Sequence, residues 1–203
     1  MPTNNEQRPP VPVRQTALDY YRDLQSLLEG LDLGELERAV DELRRARDEG
    51  STIYIAGNGG SAATASHLVN DLGKATKLSG QRSVRVMGLT DNMSWLTALG
   101  NDEGYDRVFT GQLENFATQG DVLIVITASG NSPNVLDALR HASETDMTSI
   151  GLLGFDGGAA RELVDITLLL PSRRGAYGLV ESGHSVVCDI LTQCLIDDRA
   201  AVS

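Results

Sequence analysis

The sequence predicts an α/β fold, a doubly wound five-stranded parallel sheet flanked by helices and preceded by a helical hairpin. Three observations carry this expectation. Short apolar runs alternate with stretches of helical periodicity, two of those runs end in glycine- and serine-rich loops that open helices, and the region before the first run has helical periodicity only. A polar leader over residues 1–14, with Pro9, Pro10 and Pro12, is expected to be disordered. Apolar residues then recur at three and four over residues 16–28 (Leu18, Tyr21, Leu24, Leu28) and 32–47 (Leu33, Leu36, Val40, Leu43), which gives the hairpin. Buried strands follow at 53–56, 84–89, 122–127 and 149–153, with a fifth at 166–170. Helices fall between them at 62–72, 95–99 with 105–116, 134–142 and about 160–164, and a last one spans about 179–195. Residues 15–198 are expected to form a single domain, with ligands beyond the carboxyl ends of the strands.

Bulk properties narrow the function. The chain has 203 residues, 41% of them apolar, which suits one globular core. A net charge of −11 leaves no global cationic field for nucleic acid or an anionic membrane, so an anionic ligand must be bound locally. Cys188 and Cys194 fit neither a disulfide framework nor a zinc ribbon and read as packed thiols. The N-terminus lacks the basic-then-apolar order of a signal peptide, and no run of about 18 apolar residues occurs, so a cytoplasmic location is expected.

Two loops carry the chemistry. Gly57-Asn58-Gly59-Gly60-Ser61-Ala62-Ala63 follows the first strand, and Thr127-Ala128-Ser129-Gly130-Asn131-Ser132-Pro133-Asn134 ends the third. Glycines let backbone approach a ligand, and hydroxyls with free N–H groups at a helix N-terminus donate to oxyanions. A single such turn is more often a helix cap, but two on the same side of one sheet should converge. Neither has the lysine of a triphosphate loop, and no GxGxxG fingerprint is present, so a monophosphate is the better fit and no nucleotide cofactor is expected.

With Leu99-Gly100-Asn101-Asp102-Glu103-Gly104-Tyr105, Gly120-Asp121-Val122-Leu123, Val135 after the second loop, and Gly154-Phe155-Asp156-Gly157-Gly158, the chain over about residues 15–197 resembles the sugar isomerase (SIS) domain family, within it the phosphoheptose isomerase group, which interconverts sedoheptulose 7-phosphate and a heptose 7-phosphate. The resemblance implies that Ser61, Thr127, Ser129 and Ser132, with Gly59, Gly60 and Asn131 of the same loops, bind phosphate, while Asn58 and Asp102 face the sugar. It also implies a homotetramer with sites between subunits. The family's glutamate four residues after a histidine is matched by His67 and Asp71. An ungapped alignment of residues 181–191 puts Glu181 at the family glutamine, Asp189 at its catalytic histidine and His184 on a widely shared histidine; a shift of one would put Val180 and Cys188 there instead.

Isomerisation needs a base beside the carbonyl carbon and an acid for the cis-enediolate. His67 and Asp71 are one helical turn apart on one face. Asp71 is the candidate base, and Asp189 the candidate acid if burial or neighbouring carboxylates raise its pKa. Alternatively His67, Asp71, Glu181 and Asp189 hold one divalent cation: zinc occupies the corresponding place in some family members, and three carboxylates would favour manganese or iron. Trp95, Phe109 and Phe116 read as core or interface residues, and the charges of residues 35–49 as a salt-laced helix face. The functional expectation is a sugar-phosphate aldose-ketose isomerase. The competing one is an inactive phosphosugar-binding adaptor that bridges partners such as a replication initiator.

Overall fold

The computed structural model describes residues 12–77 and 82–198. Its elements run α1 (Val13–Glu29), α2 (Leu33–Glu49), β1 (Thr52–Gly57), α3 (Gly60–Asn70), β2 (Arg85–Gly88), α4 (Met93–Asp102), α5 (Thr110–Phe116), β3 (Val122–Thr127), α6 (Pro133–Glu144), β4 (Thr148–Phe155), β5 (Ile166–Pro171) and α7 (Tyr177–Asp197). Residues 1–11 of the expected leader lie outside the described residues. Val13 and Arg14, also assigned to it, instead form the first turn of α1 behind Pro12, whose extended backbone needs no N–H donor at a helix start.

All strand pairs are parallel and the order is β2-β1-β3-β4-β5. Apolar side chains alternate between two layers. Ile53, Ile55, Val122, Ile124, Ile126, Ile150 and Leu152 face α1, α2, α3 and α7. Tyr54, Ala56, Leu123 and Val125 face the layer of α4, α5 and α6. Burial on both faces is what makes the strands read as continuous apolar runs.

Local chemistry fixes the ends. Asp32 caps α2 by accepting from the Gly34 and Glu35 N–H groups at 2.8 and 3.3 Å, and Gly50, at φ 79°, closes it in the left-handed region. Asp121 Oδ1 accepts from Thr52 N–H at 2.7 Å and Asp121 Oδ2 from Thr118 N–H at 2.9 Å, so one buried carboxylate sets the starts of β1 and β3 level. The charges of α2 pair along its face (Arg38 with Glu35, Arg44 with Asp41, Arg45 with Glu42) and anchor Asp198 at the chain's far end through Arg44. Phe109 is core, whereas Trp95 and Phe116 form an edge-to-face pair 5.5 Å apart near the surface.

α7 has the length and apolar composition of a membrane span, but a stripe of Val180, His184, Val187, Cys188, Leu191 and Leu195 packs inside the chain. Within that stripe neither ring nitrogen of His184 has a hydrogen-bond partner among the described residues. Burial pushes its pKa down to about 4, while the nearby Leu153 carbonyl opposes the shift without meeting hydrogen-bond geometry. The imidazole is therefore neutral when folded and titrates near 6.5 when unfolded, so the unfolded chain binds the extra proton between these values. Stability falls as pH drops from about 6.5 to about 4, by roughly 3 kcal/mol in full. Urea unfolding at a series of pH values checks this, and His184→Leu should flatten the profile across that window.

Candidate functional site

β1 and β3 are neighbours, yet the chain leaves β1 toward β2 on one side and β3 toward β4 on the other. The loops after them therefore open a crevice at the switch point of the sheet, where α/β proteins bind ligands. Both are the loops singled out by sequence.

The first loop turns because Gly57 has no side chain: a Cβ there would stand 2.7 Å from the Ser61 carbonyl oxygen. Gly59 at φ 56° then starts α3 without a side-chain cap, leaving the Gly60 and Ser61 N–H groups without intrahelical acceptors. Ser61 is buried beneath them. In the second loop, Thr127 Oγ1 accepts from Gly130 N–H at 3.1 Å and Ser129 Oγ from Asn131 N–H at 3.3 Å. Ser132 is the N-cap of α6 but makes no side-chain cap bond, so its hydroxyl and the Asn134 N–H are available to an oxyanion, whereas Pro133 has no N–H and the Val135 and Leu136 N–H groups bond the Ser132 carbonyl.

The second loop is held from behind by a segment to which sequence reasoning gave no role. Asn131 Nδ2 donates to the Ser129 carbonyl at 2.8 Å and Asn131 Oδ1 accepts from Ala159 N–H at 3.1 Å, so Asn131 works within the scaffold of the loop. Ala160 N–H donates to the Gly130 carbonyl at 2.9 Å. A Cβ on Gly130 would lie 1.8 Å from the Gly157 carbonyl oxygen, and one on Gly158, at φ 54°, would lie 2.4 Å from the Ser129 carbonyl oxygen. This backbone-to-backbone packing accounts for Gly130 and Gly158, while Gly157 takes a left-handed φ of 88°.

The two loops are also joined to each other. Asn58 and Asn134 exchange side-chain hydrogen bonds of 2.9 Å, and the Tyr105 hydroxyl donates to Asn58 Oδ1 at 3.0 Å. Asn134 and Tyr105 lie inside motifs visible in the sequence, but nothing in their spacing announces the contact. Asp102 is exposed at the end of α4, three residues before Tyr105, and accepts from Asn101 Nδ2 at 2.7 Å.

Glu181 reaches the crevice from α7. A Cβ on Gly60 would meet its Oε1 at 2.5 Å, so the carboxylate lies over the start of α3, where the helix dipole favours negative charge. His67 and Asp71 stand farther along α3, about 10 Å and beyond from Gly60 by helical rise. His67 Nε2 is 3.4 Å from Asp71 Oδ2, with the imidazole side chain 63% exposed and the carboxylate 20% exposed. Asn70 Nδ2 donates to Asp71 Oδ1 at 3.0 Å. The helix expected to continue through residue 72 changes here into a π-helical turn, Asp71–Ala75, a widening frequent at functional sites. Burial, with added repulsion from Asp189 and Asp71, pushes the Cys188 thiol up to about 12, which makes Cys188 an inert packed thiol.

The four-residue cation shell of His67, Asp71, Glu181 and Asp189 is not assembled: among the described residues no group of three or more His, Cys, Asp or Glu side chains is placed to hold a metal. Glu181 and Asp189 are eight residues apart on α7, about 12 Å along its axis. Nor does the chain bury Asp189, which is exposed and lacks within one subunit the desolvation its role as acid was expected to use.

The geometry defines an α/β protein with an oxyanion-binding crevice at the switch point and a His-Asp pair on the helix that rises from it. The SIS domain family model matches residues 19–154, and the chain belongs to the SIS domain family. It is 41% identical over 158 residues to a phosphoheptose isomerase of Pelobacter propionicus, covering 76% of this chain and 82% of that protein. Identity is 46% over 137 residues with the phosphoheptose isomerase of Aliarcobacter butzleri, covering 68% and 72%. The structure of phosphoheptose isomerase from Neisseria gonorrhoeae superposes with a TM-score of 0.81 at 31% identity over 90% of this chain and 96% of that one. That from Francisella tularensis gives 0.83 at 24% identity over 91% and 96%, a likeness of fold.

The packing of Gly158 against Ser129 generates a prediction. Gly158→Ala must move the loop or pay the left-handed backbone penalty of about 1–2 kcal/mol, so calorimetric affinity for inorganic phosphate should fall about tenfold or more while the circular dichroism spectrum is retained.

Proposed function

We propose that the protein is a sugar-phosphate aldose-ketose isomerase acting on sedoheptulose 7-phosphate, or a ketose phosphate of similar length, through a cis-enediolate. The observation that carries this reading is the clasped pair of loops at the switch point with the His67–Asp71 pair on the helix leaving the first loop. Phosphate monoester recognition falls to Ser61, Thr127, Ser129 and Ser132 with the N–H groups that open α3 and α6. Gly59 and Gly60 give the backbone its close approach, Asn131 holds the second loop in shape, and Asp102 and Glu181 meet sugar hydroxyls.

In the reaction, Asp71 takes the proton from C1 of the ketose, the electron pair forms the C1–C2 double bond, and the C2 oxygen gains the negative charge. Returning a proton to C2, with the O1 proton passing to O2, leaves the aldehyde at C1 and a hydroxyl at C2. His67, in contact with Asp71, orients the base. Asp189, which with Asp71 raises the pKa of the Cys188 thiol, is the remaining candidate for moving protons at the oxygens, and its exposure in the single chain fits a role completed by a second subunit. The retained His67–Asp71 pair favours an enzyme over a binding module, which would need the loops alone.

A homo-oligomer, a tetramer by family resemblance, is part of this proposal. Tyr21, Leu24 and Leu28 of α1 line an open apolar groove of about 460 Å³, and Tyr21 and Leu18 are exposed beside it. Such a stripe suits a second copy of the chain. Tyr21→Glu with Leu24→Glu should lower the mass measured by analytical ultracentrifugation, whereas an unchanged mass would remove α1 from the interface. Cytoplasmic residence and a small-molecule sugar-phosphate partner, without nucleic acid or membrane, complete the reading.

Proton NMR of purified protein with sedoheptulose 7-phosphate tests the activity. New aldose anomeric signals are expected, Asp71→Asn should lower kcat by about 10²–10⁴, and Ser129→Ala should mainly raise KM. Full turnover by Asp71→Asn would refute the base assignment, and saturable binding without conversion would favour the adaptor.

A further inference from the structure

The clasp between the two loops determines more than their separation. Asn58 Nδ2 donates to Asn134 Oδ1 and Asn134 Nδ2 donates to Asn58 Oδ1, both at 2.9 Å. Taken alone, such a reciprocal amide pair is ambiguous, because turning both amides over preserves both bonds. The backbone breaks the tie. Val135 N–H can only donate, and it stands 3.0 Å from Asn134 Oδ1 while also meeting the Ser132 carbonyl at 3.0 Å. Turning Asn134 over would press its NH2 against that N–H in a buried place, with two donors facing and no acceptor between them.

With Asn134 fixed, Asn58 must present Nδ2 to it and receive Asn134 Nδ2 on Oδ1. The Tyr105 hydroxyl, 3.0 Å from the same Oδ1, is then a donor too. We infer that Val135, Asn134 and Tyr105 form a relay that locks the half-buried Asn58 amide in one orientation and makes it a hydrogen-bond donor toward the ligand. Its Oδ1 already serves two donors, and the hydrogen left over belongs to Nδ2. The ligand atom it suits is an acceptor oxygen of the phosphosugar, either a phosphate oxygen or the carbonyl oxygen that gains charge in the enediolate. A donor whose orientation is set before the ligand arrives needs no reorganisation as that charge develops. Asn134 and Tyr105 are thus positioning residues acting through Asn58. This inference rests on the reading of the crevice as a sugar-phosphate site.

The test is a double-mutant cycle on affinity for sedoheptulose 7-phosphate, measured by calorimetry, together with ¹⁵N-resolved NMR of the Asn58 side-chain amide. Tyr105 is exposed, so Tyr105→Phe should fold normally. In the native background it should weaken binding about fivefold, the scale of one neutral hydrogen bond, and in an Asn58→Ala background it should change nothing. Sedoheptulose 7-phosphate should shift one of the two Asn58 Nδ2 hydrogens and leave the other, which faces Asn134, in place. Equal losses in both backgrounds, no loss in the native one, or equal shifts of both hydrogens would overturn the relay. Failure of the isomerase reading looks different: the sugar phosphate binds and is not converted, while the cycle and the amide spectrum still decide the relay. If neither sedoheptulose 7-phosphate nor inorganic phosphate moves the Asn58 amide, the inference fails whatever the protein's activity.

Discussion

The parallel pairing of β1 with β3 is the constraint on which the site depends. Ile53 to Gly57 lies in register with Val122 to Ile126, so the two strands end level. Because the chain then departs in opposite directions, no crossover covers the space above their carboxyl ends. Asp121 reinforces the register from the other end by accepting from Thr52 N–H. A slip of one residue would reverse which side chains face each layer and would carry Asn58 away from Asn134. Core packing and site geometry are thus set by the same pairing.

An acidic protein that receives an anion must make its attraction local. With a net charge of −11 the long-range field works against a phosphate monoester, and screening at physiological ionic strength confines that penalty to roughly 8 Å around exposed charges. The crevice answers with fixed dipoles: two helix starts, several hydroxyls and amide hydrogens whose orientation packing has already determined. Glu181 over the start of α3 is the exception. In the proposed reading its carboxylate competes with an anion for the same end of the helix, which makes the loop before α6 the more favourable seat for phosphate. The sugar then lies toward Glu181 and the His67–Asp71 pair.

How much of this the sequence revealed follows from how local each signal is. β3 was legible to the residue, since an uninterrupted apolar run between Gly120-Asp121 and Ala128-Ser129 admits one reading. The two loops were legible because glycine and serine before a helix have a local physical meaning. The π-turn at Asp71–Ala75 was not, since no proline or residue run marks where a helix widens. The Asn58–Asn134 contact spans 76 residues, and the docking of Ala159 onto Asn131 spans 28; only the folded sheet brings these pairs together. The spacing of Glu181 and Asp189, eight positions apart on α7, was legible from the helix alone.

This separation along α7 also divides the labour of the site. Glu181 stands by the phosphate loops, while Asp189 stands two turns away beside Cys188, whose raised pKa reports both Asp71 and Asp189 near it. In the proposed reading, binding groups and acid-base groups then occupy opposite ends of one crevice, with α3 running between them. A phosphate held at the first end brings a carbonyl to the second only if the chain between is long enough to cover about two helical turns. Affinity resides in loops that are rigid before the ligand arrives, so binding energy from the phosphate end is free to orient the reacting carbons at the other. Chain length, more than any single contact, becomes the property by which such a site selects its sugar.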